Sequence, residues 1–406
     1  MVAFHFPPLA GSSGIQRTLR FVQQLPEFGW DPMVLTAKPH AYERTSPDLL
    51  AEVPPNVVVS RATALDTARH LAIGGRHFAA WTRPDRWTTW RWDAVHRGMA
   101  MIRQYQPDVI WSTYPIATAH VIGRELAARS GLPWVADFRD PMAQDGYPAD
   151  PKTWAAFERI ERAAVEQARL CCFTTPSAAR TYQSRYATHA HKIVTLENGY
   201  DEATFAQAEA RLGERTALNP GKLTLLHSGI VYPSERDPTQ LFEALARLQA
   251  RQPALADKLR IRFRAAVAED LLRQLGQQHG VSSMIEILPP VAYAEALREM
   301  LLADGLLVMQ ASNCNEQIPA KIYEYLRARR PILSLTDVQG DTWGVMRQAG
   351  LDQVAALDSA TDIETLLAEF TSGSRPHRQP DDAAIAAASR HARSAELARH
   401  LNAIAG

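Results

Sequence analysis

The chain has 406 residues, of which 44 are Lys or Arg and 44 are Asp or Glu. Domains usually span about 100–200 residues, so this length predicts two domains, each with its own hydrophobic core. The composition is 46% hydrophobic and 22% charged, which excludes wholesale disorder. A formal net charge of zero argues against a dedicated nucleic-acid-binding protein, because such a protein needs a surplus of Lys and Arg.

Short apolar segments alternate with longer segments of helical period, a pattern typical of a parallel sheet covered by helices. In the N-terminal half, strands are predicted at residues 2–6, 32–36, 57–60, 109–112, 134–137, 170–174 and 192–195, and helices at 14–28 and 154–167. In the C-terminal half, strands are predicted at 223–228, 259–265, 285–288, 305–309 and 331–335, and helices at 239–251, 269–279, 293–303 and 321–329.

The polar stretch 198–223 is rich in turn-forming residues and separates the two halves. We therefore predict an N-terminal domain at 1–198 and a C-terminal domain at 199–380, with a final helical segment at 381–406. A return of that segment to the N-terminal domain is left open. The predicted fold class is α/β, with two Rossmann-like parallel-sheet domains facing each other across a cleft. Open α/β sheets bind ligands at the carboxyl ends of their strands, so the cleft is the expected site.

Cysteine usage and the N-terminal segment bear on the cellular compartment. Cys171, Cys172 and Cys314 are too few for a disulfide framework or a four-ligand zinc site, and the adjacent pair lies in an apolar run typical of buried hydrophobes. The N-terminal segment contains Pro7 and Pro8 and lacks the basic residues of a signal peptide, and no apolar stretch is long enough to span a bilayer. We expect a cytoplasmic protein.

The first candidate site element is the glycine-rich loop at residues 7–14, between the first predicted strand and helix. Glycines such as Gly14 let backbone N–H groups approach an anion at a helix N-terminus, and Arg17 adds a positive charge one turn later. The loop has neither the Lys-Ser/Thr of a P-loop nor the third glycine of a dinucleotide fingerprint. An anion site and a flexible turn both remain open.

The second element is the charged turn that follows the predicted strand at 134–137. It places Asp137, Arg139 and Asp140 at the carboxyl end of a strand, where α/β enzymes hold working groups. The alternative is an ion pair of Arg139 that only shapes the loop. We expect the two carboxylates to point in different directions, with Asp140 facing the cleft.

The third element is segment 315–326, in which Glu316 and Glu324 are separated by seven residues. Lys321 and Glu324 stand three apart and share one helix face. A helix N-terminus with Lys321 suits a phosphate, and Glu324 can accept hydrogen bonds from a ribose diol. The alternative is a surface salt bridge between Lys321 and Glu324.

The fourth element is segment 226–238, which turns from a strand into a helix through Gly229. Arg236, near the start of that helix, could bind a diphosphate in a bidentate manner. An interaction of Arg236 with the neighbouring Asp237 within the turn is the alternative.

Together these elements resemble the retaining glycosyltransferases of family 4, which have the two-Rossmann-domain architecture called GT-B. The resemblance covers nearly the whole chain. It depends on the loop at 11–14, Asp-Phe-Arg-Asp-Pro at 137–141, Glu-Asn-Gly-Tyr-Asp at 197–201 and the paired glutamates of 316–324. It implies the transfer of a hexose from a nucleoside-diphosphate sugar to a saccharide or lipid-linked acceptor, with retention and with no metal or other cofactor. The context it implies is the synthesis of cell-surface polysaccharide or glycoconjugates.

The same resemblance implies roles for individual residues. Glu324 would bind the ribose, Glu316 would contact the donor sugar, and Arg236 and Lys321 would contact the diphosphate, with Lys321 replacing a lysine that relatives carry close to the arginine. Asp140 occupies the region of an active-site histidine. The catalytic candidates are Asp140, Glu316, Arg236 and Lys321, and the donor-binding candidates are Gly14, Arg17, Gly229, Arg236, Ile318, Pro319, Lys321 and Glu324. Residues 317–319 read Gln-Ile-Pro, where the family often has Gly-Phe-Gly.

Two alternative functions stay open. A sugar-nucleotide 2-epimerase shares the fold and the donor and would use Asp140 and Glu316 as acid and base, without an acceptor. A non-catalytic sugar-nucleotide-binding subunit is the second alternative.

Tryptophans and arginines interleave between Trp81 and Trp92. This pattern suits either peripheral binding to the inner membrane face and a lipid-linked acceptor, or an aromatic core beneath a long loop.

Overall fold

The chain folds into two compact α/β units, seen in a computed structural model that describes residues 1–12, 14–71, 82–213 and 216–405. The first unit comprises Met1–Asn198 together with Arg390–Gly406, and the second comprises Gly199–Ser389. The C-terminal domain was predicted to end at residue 380, but the second unit continues to Ser389. The remaining residues, from Arg390 onwards, belong to the first unit. The predicted α/β class with two parallel-sheet units is confirmed.

The described part of the first unit contains a parallel sheet assembled around Val2. The strands are β1 (Val34–Ala37), β2 (Val59–Ala62), β3 (Ile110–Thr113), β4 (Trp134–Arg139), β5 (Leu170–Phe173) and β6 (Ile193–Thr195). β1 pairs with β2, and β3 to β6 pair in sequence order. Val2 forms parallel bridges to Leu35 of β1 and Ser112 of β3, so it joins the two sets of strands. The predicted strand at 2–6 is reduced to this bridge, since Pro7 and Pro8 directly after it have no N–H to donate to a ladder.

Helices cover this sheet. They are α1 (Gly14–Gln24), α2 (Thr67–His70), α3 (Trp90–Tyr105), α4 (Thr118–Ser130), α5 (Pro151–Gln167) and α6 (Pro176–Arg185). The predicted helix at 14–28 continues beyond α1 as a 3₁₀ turn at Leu25–Phe28, where Pro26 interrupts the α-helical hydrogen bonding.

The second unit has a six-stranded parallel sheet in its described residues. The strands are β7 (Leu223–Ser228), β8 (Leu259–Arg264), β9 (Ile285–Leu288), β10 (Gly305–Gln310), β11 (Ile332–Thr336) and β12 (Val354–Ala355), in the order β12-β11-β10-β7-β8-β9. The helices are α7 (Glu202–Ala210), α8 (Thr239–Arg251), α9 (Pro253–Lys258), α10 (Glu269–Gln278), α11 (Tyr293–Leu302), α12 (Lys321–Ala328), α13 (Asp341–Gln348), α14 (Ala360–Ser372) and α15 (Asp382–Ala387). Successive residues Leu225 and Leu226 of β7 belong to two different core clusters, because strand side chains alternate between the faces of a sheet.

Helix α7 lies in the stretch that the sequence assigned to a polar junction. The Asp201 carboxylate accepts a hydrogen bond from the Thr204 backbone N–H at 3.1 Å and so caps the helix. Phe205 and Ala208 are buried against the second unit. The helix forms because it is capped and anchored by two apolar residues, although most of its surface is polar.

The last helix, α16 (Arg390–Ala405), belongs to the first unit. Leu397 and Leu401 pack in one cluster with Phe21 of α1 and Trp111 of β3. The Arg393 guanidinium donates to the carboxylate of Glu197 at 2.5 Å. The final helix therefore completes the core of the unit that begins the chain.

The buried side chains answer two sequence predictions. Cys171 and Cys172 are buried, as their apolar run predicts, and Cys314 is buried as well; all three are free thiols. Trp90 is fully buried and packs with Trp87 against Phe4, which confirms the aromatic-core interpretation for these two residues. Trp92 is exposed, and Trp81 lies outside the described residues.

In the part of the chain that is described, every helix is too short or too polar to cross a membrane.

Candidate functional site

In the second unit the strand order reverses between β7 and β10. Chain segments leaving these neighbouring strands diverge at their carboxyl ends, and such a switch point opens a crevice in α/β sheets. The loop after β7 begins with Gly229, and the loop after β10 leads through Glu316 into α12. The topology therefore brings the third and fourth sequence elements together.

Lys321 lies directly over Gly229. A Cβ atom added at Gly229 would come within 3.0 Å of the Lys321 Nζ and 3.3 Å of its Cε. Gly229 also has a φ of +119°, a conformation that L side chains rarely adopt. The turn after β7 thus requires glycine for both its backbone conformation and the approach of the lysine.

His227, the penultimate residue of β7, was not selected from the sequence. It is buried, and its Nδ1 lies 3.0 Å from the carbonyl oxygen of Leu307 while its Nε2 lies 3.2 Å from the Lys321 Nζ. A carbonyl oxygen can only accept, so Nδ1 carries the proton and Nε2 accepts from the ammonium. Burial, together with the charge of Lys321, holds the pKa of His227 well below its usual value. The imidazole is therefore neutral.

The two cations of this crevice influence each other. Burial and the nearby Arg236 charge lower the pKa of Lys321 to about 7, while Glu324 opposes that shift. The Arg236 Nη1 donates to the carbonyl oxygen of Ile230 at 2.9 Å, and its guanidinium lies over the Tyr232 ring. Its buried Nε has no hydrogen-bond partner among the described residues. A bound anion would offset the repulsion between Lys321 and Arg236 and would accept a hydrogen bond from the Arg236 Nε.

Glu324 lies in the first turn of α12, on the same turn as Lys321. Its Oε1 accepts a hydrogen bond from the Tyr293 hydroxyl at 2.7 Å. The hydroxyl of Tyr325 accepts from the Ser228 backbone N–H at 2.9 Å, which fixes α12 to the end of β7. Neither tyrosine was singled out in the sequence, because each acts on a residue far away along the chain.

The loop between β10 and α12 holds the other predicted donor residues. Glu316 is exposed. Ile318 turns its side chain into the core, so a contact of this residue with a donor would have to come from its backbone. Pro319 is half-buried, and its carbonyl oxygen accepts from the Ile322 N–H at 3.0 Å. Asn315 anchors the loop, since its Nδ2 donates to Asp337 at 2.7 Å.

In the first unit, Gly14 begins α1 in close contact with two side chains. A Cβ atom there would lie 2.6 Å from the Arg139 Nη1 and 2.8 Å from the His5 Nδ1. His5 is also 2.9 Å from the Ser12 hydroxyl. The glycine-rich loop therefore brings a helix N-terminus next to a guanidinium, an arrangement that suits an anion.

Arg17 points into the protein. Its guanidinium donates to both carboxylate oxygens of Asp137, at 2.8 and 3.0 Å, and to the carbonyl oxygen of Leu196 at 3.0 Å. These bonds connect the ends of β4 and β6 to α1. Arg17 is only 3% exposed, so its visible role is structural, and donor binding by this side chain stays a prediction.

The turn after β4 separates its two carboxylates as the sequence suggested. Asp137 is buried and Asp140 is exposed. A register shift between β4 and β5 and a positive φ at Arg139 redirect the chain between them. The Arg139 Nη1 donates to the Tyr114 carbonyl oxygen at 3.2 Å. Although the Asp140 side chain is accessible to water, the protein around it partly desolvates the carboxyl and raises its pKa, and the charges of Arg139 and Arg17 oppose that rise.

The chemistry of the second-unit crevice follows from these positions. An ammonium, a guanidinium and the N-terminus of α12 provide positive charge for a diphosphate. The carboxylate of Glu324 provides an acceptor for hydroxyl groups on the same helical turn. Within the residues described, no group of three or more His, Cys, Asp or Glu side chains is arranged to hold a metal ion.

Comparison with known proteins identifies relatives of this chain. Residues 13–199 match the family model described as a glycosyl transferase 4-like domain. A curated relative, D-inositol 3-phosphate glycosyltransferase from Geodermatophilus obscurus, is 26% identical over 212 residues. That match covers 50% of this chain and 43% of the relative, so it spans less than half of the relative's length.

Solved structures resemble the whole chain. HepE from Anabaena in complex with UDP has a TM-score of 0.63 at 12% identity, with 99% of each chain covered. The α,α-trehalose 6-phosphate synthase from Burkholderia multivorans has a TM-score of 0.67 at 11% identity, covering all of this chain and 96% of that one. At such identities the likeness establishes the fold, which is GT-B. The family match and the fold agree: residues 13–199 are similar to glycosyl transferase 4-like domains, and the whole chain has the GT-B fold.

Proposed function

We propose that this protein transfers a hexose from a nucleoside-diphosphate sugar to an acceptor hydroxyl, with retention at the anomeric carbon. The observation that carries the proposal is the crevice between β7 and β10, where the Lys321 ammonium lies over Gly229 beside Arg236. Glu324 presents a carboxylate on the same turn of α12. Two cations and a carboxylate at a switch point match the diphosphate and the ribose of such a donor.

In this reaction the bond between the anomeric carbon and the diphosphate oxygen breaks, and its electron pair leaves on the diphosphate. Lys321, Arg236 and the N-terminus of α12 neutralise that developing charge. The acceptor oxygen forms the new bond to the anomeric carbon, and its proton passes to an oxygen of the leaving diphosphate. With cations from side chains and a helix terminus available, we propose that the transfer proceeds without a metal ion.

UDP is the probe of choice for the donor. HepE from Anabaena has been solved with UDP and with UDP-glucose, and it shares the fold of this chain. The acceptor we propose is a saccharide or a lipid-linked saccharide, used in building cell-surface polysaccharide or glycoconjugates. The context of the acceptor rests on the family resemblance.

The test is an assay of nucleotide release over a panel of nucleoside-diphosphate sugars, run with and without acceptor saccharides and with and without EDTA. We expect acceptor-dependent release that EDTA leaves unchanged, and NMR of the product should find the anomeric configuration of the donor. A strict requirement for Mg²⁺ would contradict the metal-independent proposal. Conversion of UDP-GlcNAc without any acceptor would instead indicate the epimerase.

A further inference from the structure

His227 lies outside the residues that the motifs assign to the donor, yet it contacts one of them. It is 1% exposed, and hydrogen bonds join it to the Leu307 carbonyl oxygen and to the Lys321 Nζ. The first bond is to the neighbouring strand β10, and the second is to the first residue of α12. One imidazole thus connects the sheet to a candidate diphosphate ligand.

The tautomer of His227 determines what it does for Lys321. Because Nδ1–H is used by Leu307, the Nε2 lone pair points to the ammonium and accepts one of its three N–H bonds. Lysine has a flexible four-carbon side chain, so its ammonium has no fixed position without such a partner. Gly229 leaves the space in which the ammonium is held.

We propose that His227 is a positioning residue for the donor diphosphate, because its Nε2 holds the Lys321 ammonium over Gly229 and leaves two N–H donors for phosphate oxygens. This inference rests on the proposed function. It gives β7 a part in placing Lys321, which lies on α12.

Several charged and titratable groups surround Lys321 and influence its pKa. Arg236 faces it from the loop after β7, Glu324 from α12 and the neutral His227 from β7. Tyr293 of α11 reaches the same group through its bond to Glu324. A lone-pair acceptor favours the charged ammonium over the neutral amine, so removing it lowers the pKa of Lys321 further.

Two substitutions separate the two bonds of His227. In His227→Gln, the amide oxygen reaches the position of Nε2 and can accept from Lys321, but the bond to Leu307 is lost. In His227→Asn, the amide N–H reaches the position of Nδ1 and can donate to Leu307, but Lys321 loses its acceptor. The two variants are similar in size and polarity, so each is the control for the other.

Calorimetric titration with UDP at pH 7 tests the proposal. We expect His227→Gln to bind UDP within about threefold of the wild type and His227→Asn to bind about tenfold more weakly. The pH above which UDP affinity falls should also move to lower values in His227→Asn. A purely structural role for His227, exerted through Leu307, predicts the opposite order of the two variants and would overturn the proposal.

A double-mutant cycle provides the second measurement. In the Lys321→Met background there is no ammonium to position, so adding His227→Asn should leave UDP affinity unchanged. An equal loss in both backgrounds would contradict the inference while leaving the donor site in place. A wild-type protein that fails to bind UDP contradicts the proposed function, and this assignment with it. NMR titration of Lys321 without nucleotide still measures the contact with His227, so the two failures are distinguishable.

Discussion

Burial and the charge of Arg236 lower the pKa of the Lys321 ammonium to about 7. Because this pKa lies below that of an exposed lysine, the proton is lost as the pH rises through about 7. A bound diphosphate favours the charged form and raises the pKa again. Binding of UDP near pH 8 should therefore take up protons from solution.

Calorimetry in buffers of different ionisation enthalpy measures this uptake. We expect the buffer dependence of the apparent heat of UDP binding at pH 8 to exceed that of Lys321→Arg, and the two proteins to agree near pH 6, where only the phosphate of UDP itself titrates. Lys321→Arg is the control, since a guanidinium stays protonated throughout this range. Equal buffer dependence of the two proteins at pH 8 would be inconsistent with the lowered pKa.

Glu324 is the residue on which ribose recognition depends in our proposal. Glu324→Ala should weaken UDP binding by roughly 1.5–3 kcal/mol, the usual range for hydrogen bonds to a charged group, or about tenfold to a hundredfold in affinity. Glu324→Gln should lose less, because its amide oxygen still accepts. The matched control is Glu295→Ala on α11, which removes an exposed carboxylate paired with Arg298 at 3.1 Å. Equal affinities of Glu324→Ala and wild type, measured by calorimetry, would remove Glu324 from the site.

At the scale of secondary-structure elements, a buried carboxylate fixes the turn that carries Asp140. Glu161 of α5 is fully buried and accepts from the Ala143 backbone N–H at 3.0 Å. It also accepts from Arg185 at 2.6 Å and from the hydroxyls of Tyr182 and Tyr186, all near or in α6. The loop after β4 is thus attached to two helices through one side chain.

Removing this carboxylate should destabilise the first unit strongly. Glu161→Ala leaves the buried Tyr182 hydroxyl and Ala143 N–H without their acceptor, and each unsatisfied buried polar group costs about 1–3 kcal/mol, whereas Arg185 remains accessible to water. Glu158→Ala, one turn earlier on α5, removes a surface pair with Arg162 and should cost only a few tenths of a kcal/mol. Urea denaturation followed by tryptophan fluorescence measures both. Similar losses of unfolding free energy in the two variants would contradict the role of Glu161 in attaching this loop.

Local signals were sufficient for some elements and insufficient for others. β7, β9 and α8 have the bounds predicted from the sequence, because their apolar period and their turn residues lie within the segment itself. α4 was missed, since its alanines and polar residues give little periodic signal. Its first turn is capped from outside, by Asp85, whose carboxylate accepts from the Thr118 N–H at 2.8 Å.

The same limit applies to the site. Lys321 and Glu324 share one helical turn, so their spacing could be recognised in the sequence. The partner of Lys321 is His227, 94 residues earlier, and the partner of Arg17 is Asp137, 120 residues later. A charged residue next to a glycine-rich loop gives no indication whether it faces solvent or a buried carboxylate. Only the assembled sheet determines that.

At the scale of the whole molecule, the two units have separate cores and should unfold separately. UDP should raise the unfolding temperature of the second unit, which identifies its transition in calorimetry. Leu397→Ala on α16 should lower the other transition, since creating a cavity in a core costs about 2–5 kcal/mol. Arg399→Ala, an exposed position on the same helix, is the control. A shift of the UDP-sensitive transition by Leu397→Ala would contradict the assignment of α16 to the first unit.

The return of α16 to the first unit has a consequence for synthesis on the ribosome. The segment that contributes Phe21 and Trp111 is made early, but the helix that covers them is made after the whole second unit. The ribosome must add all of Gly199–Ser389 in between, which takes roughly 10–40 s at about 5–20 residues per second. During that interval the nascent chain exposes an apolar surface, while the second unit, being contiguous, can finish folding first. We expect ribosome-bound chains that end before residue 390 to recruit ribosome-associated chaperones, and chains that include α16 to release them.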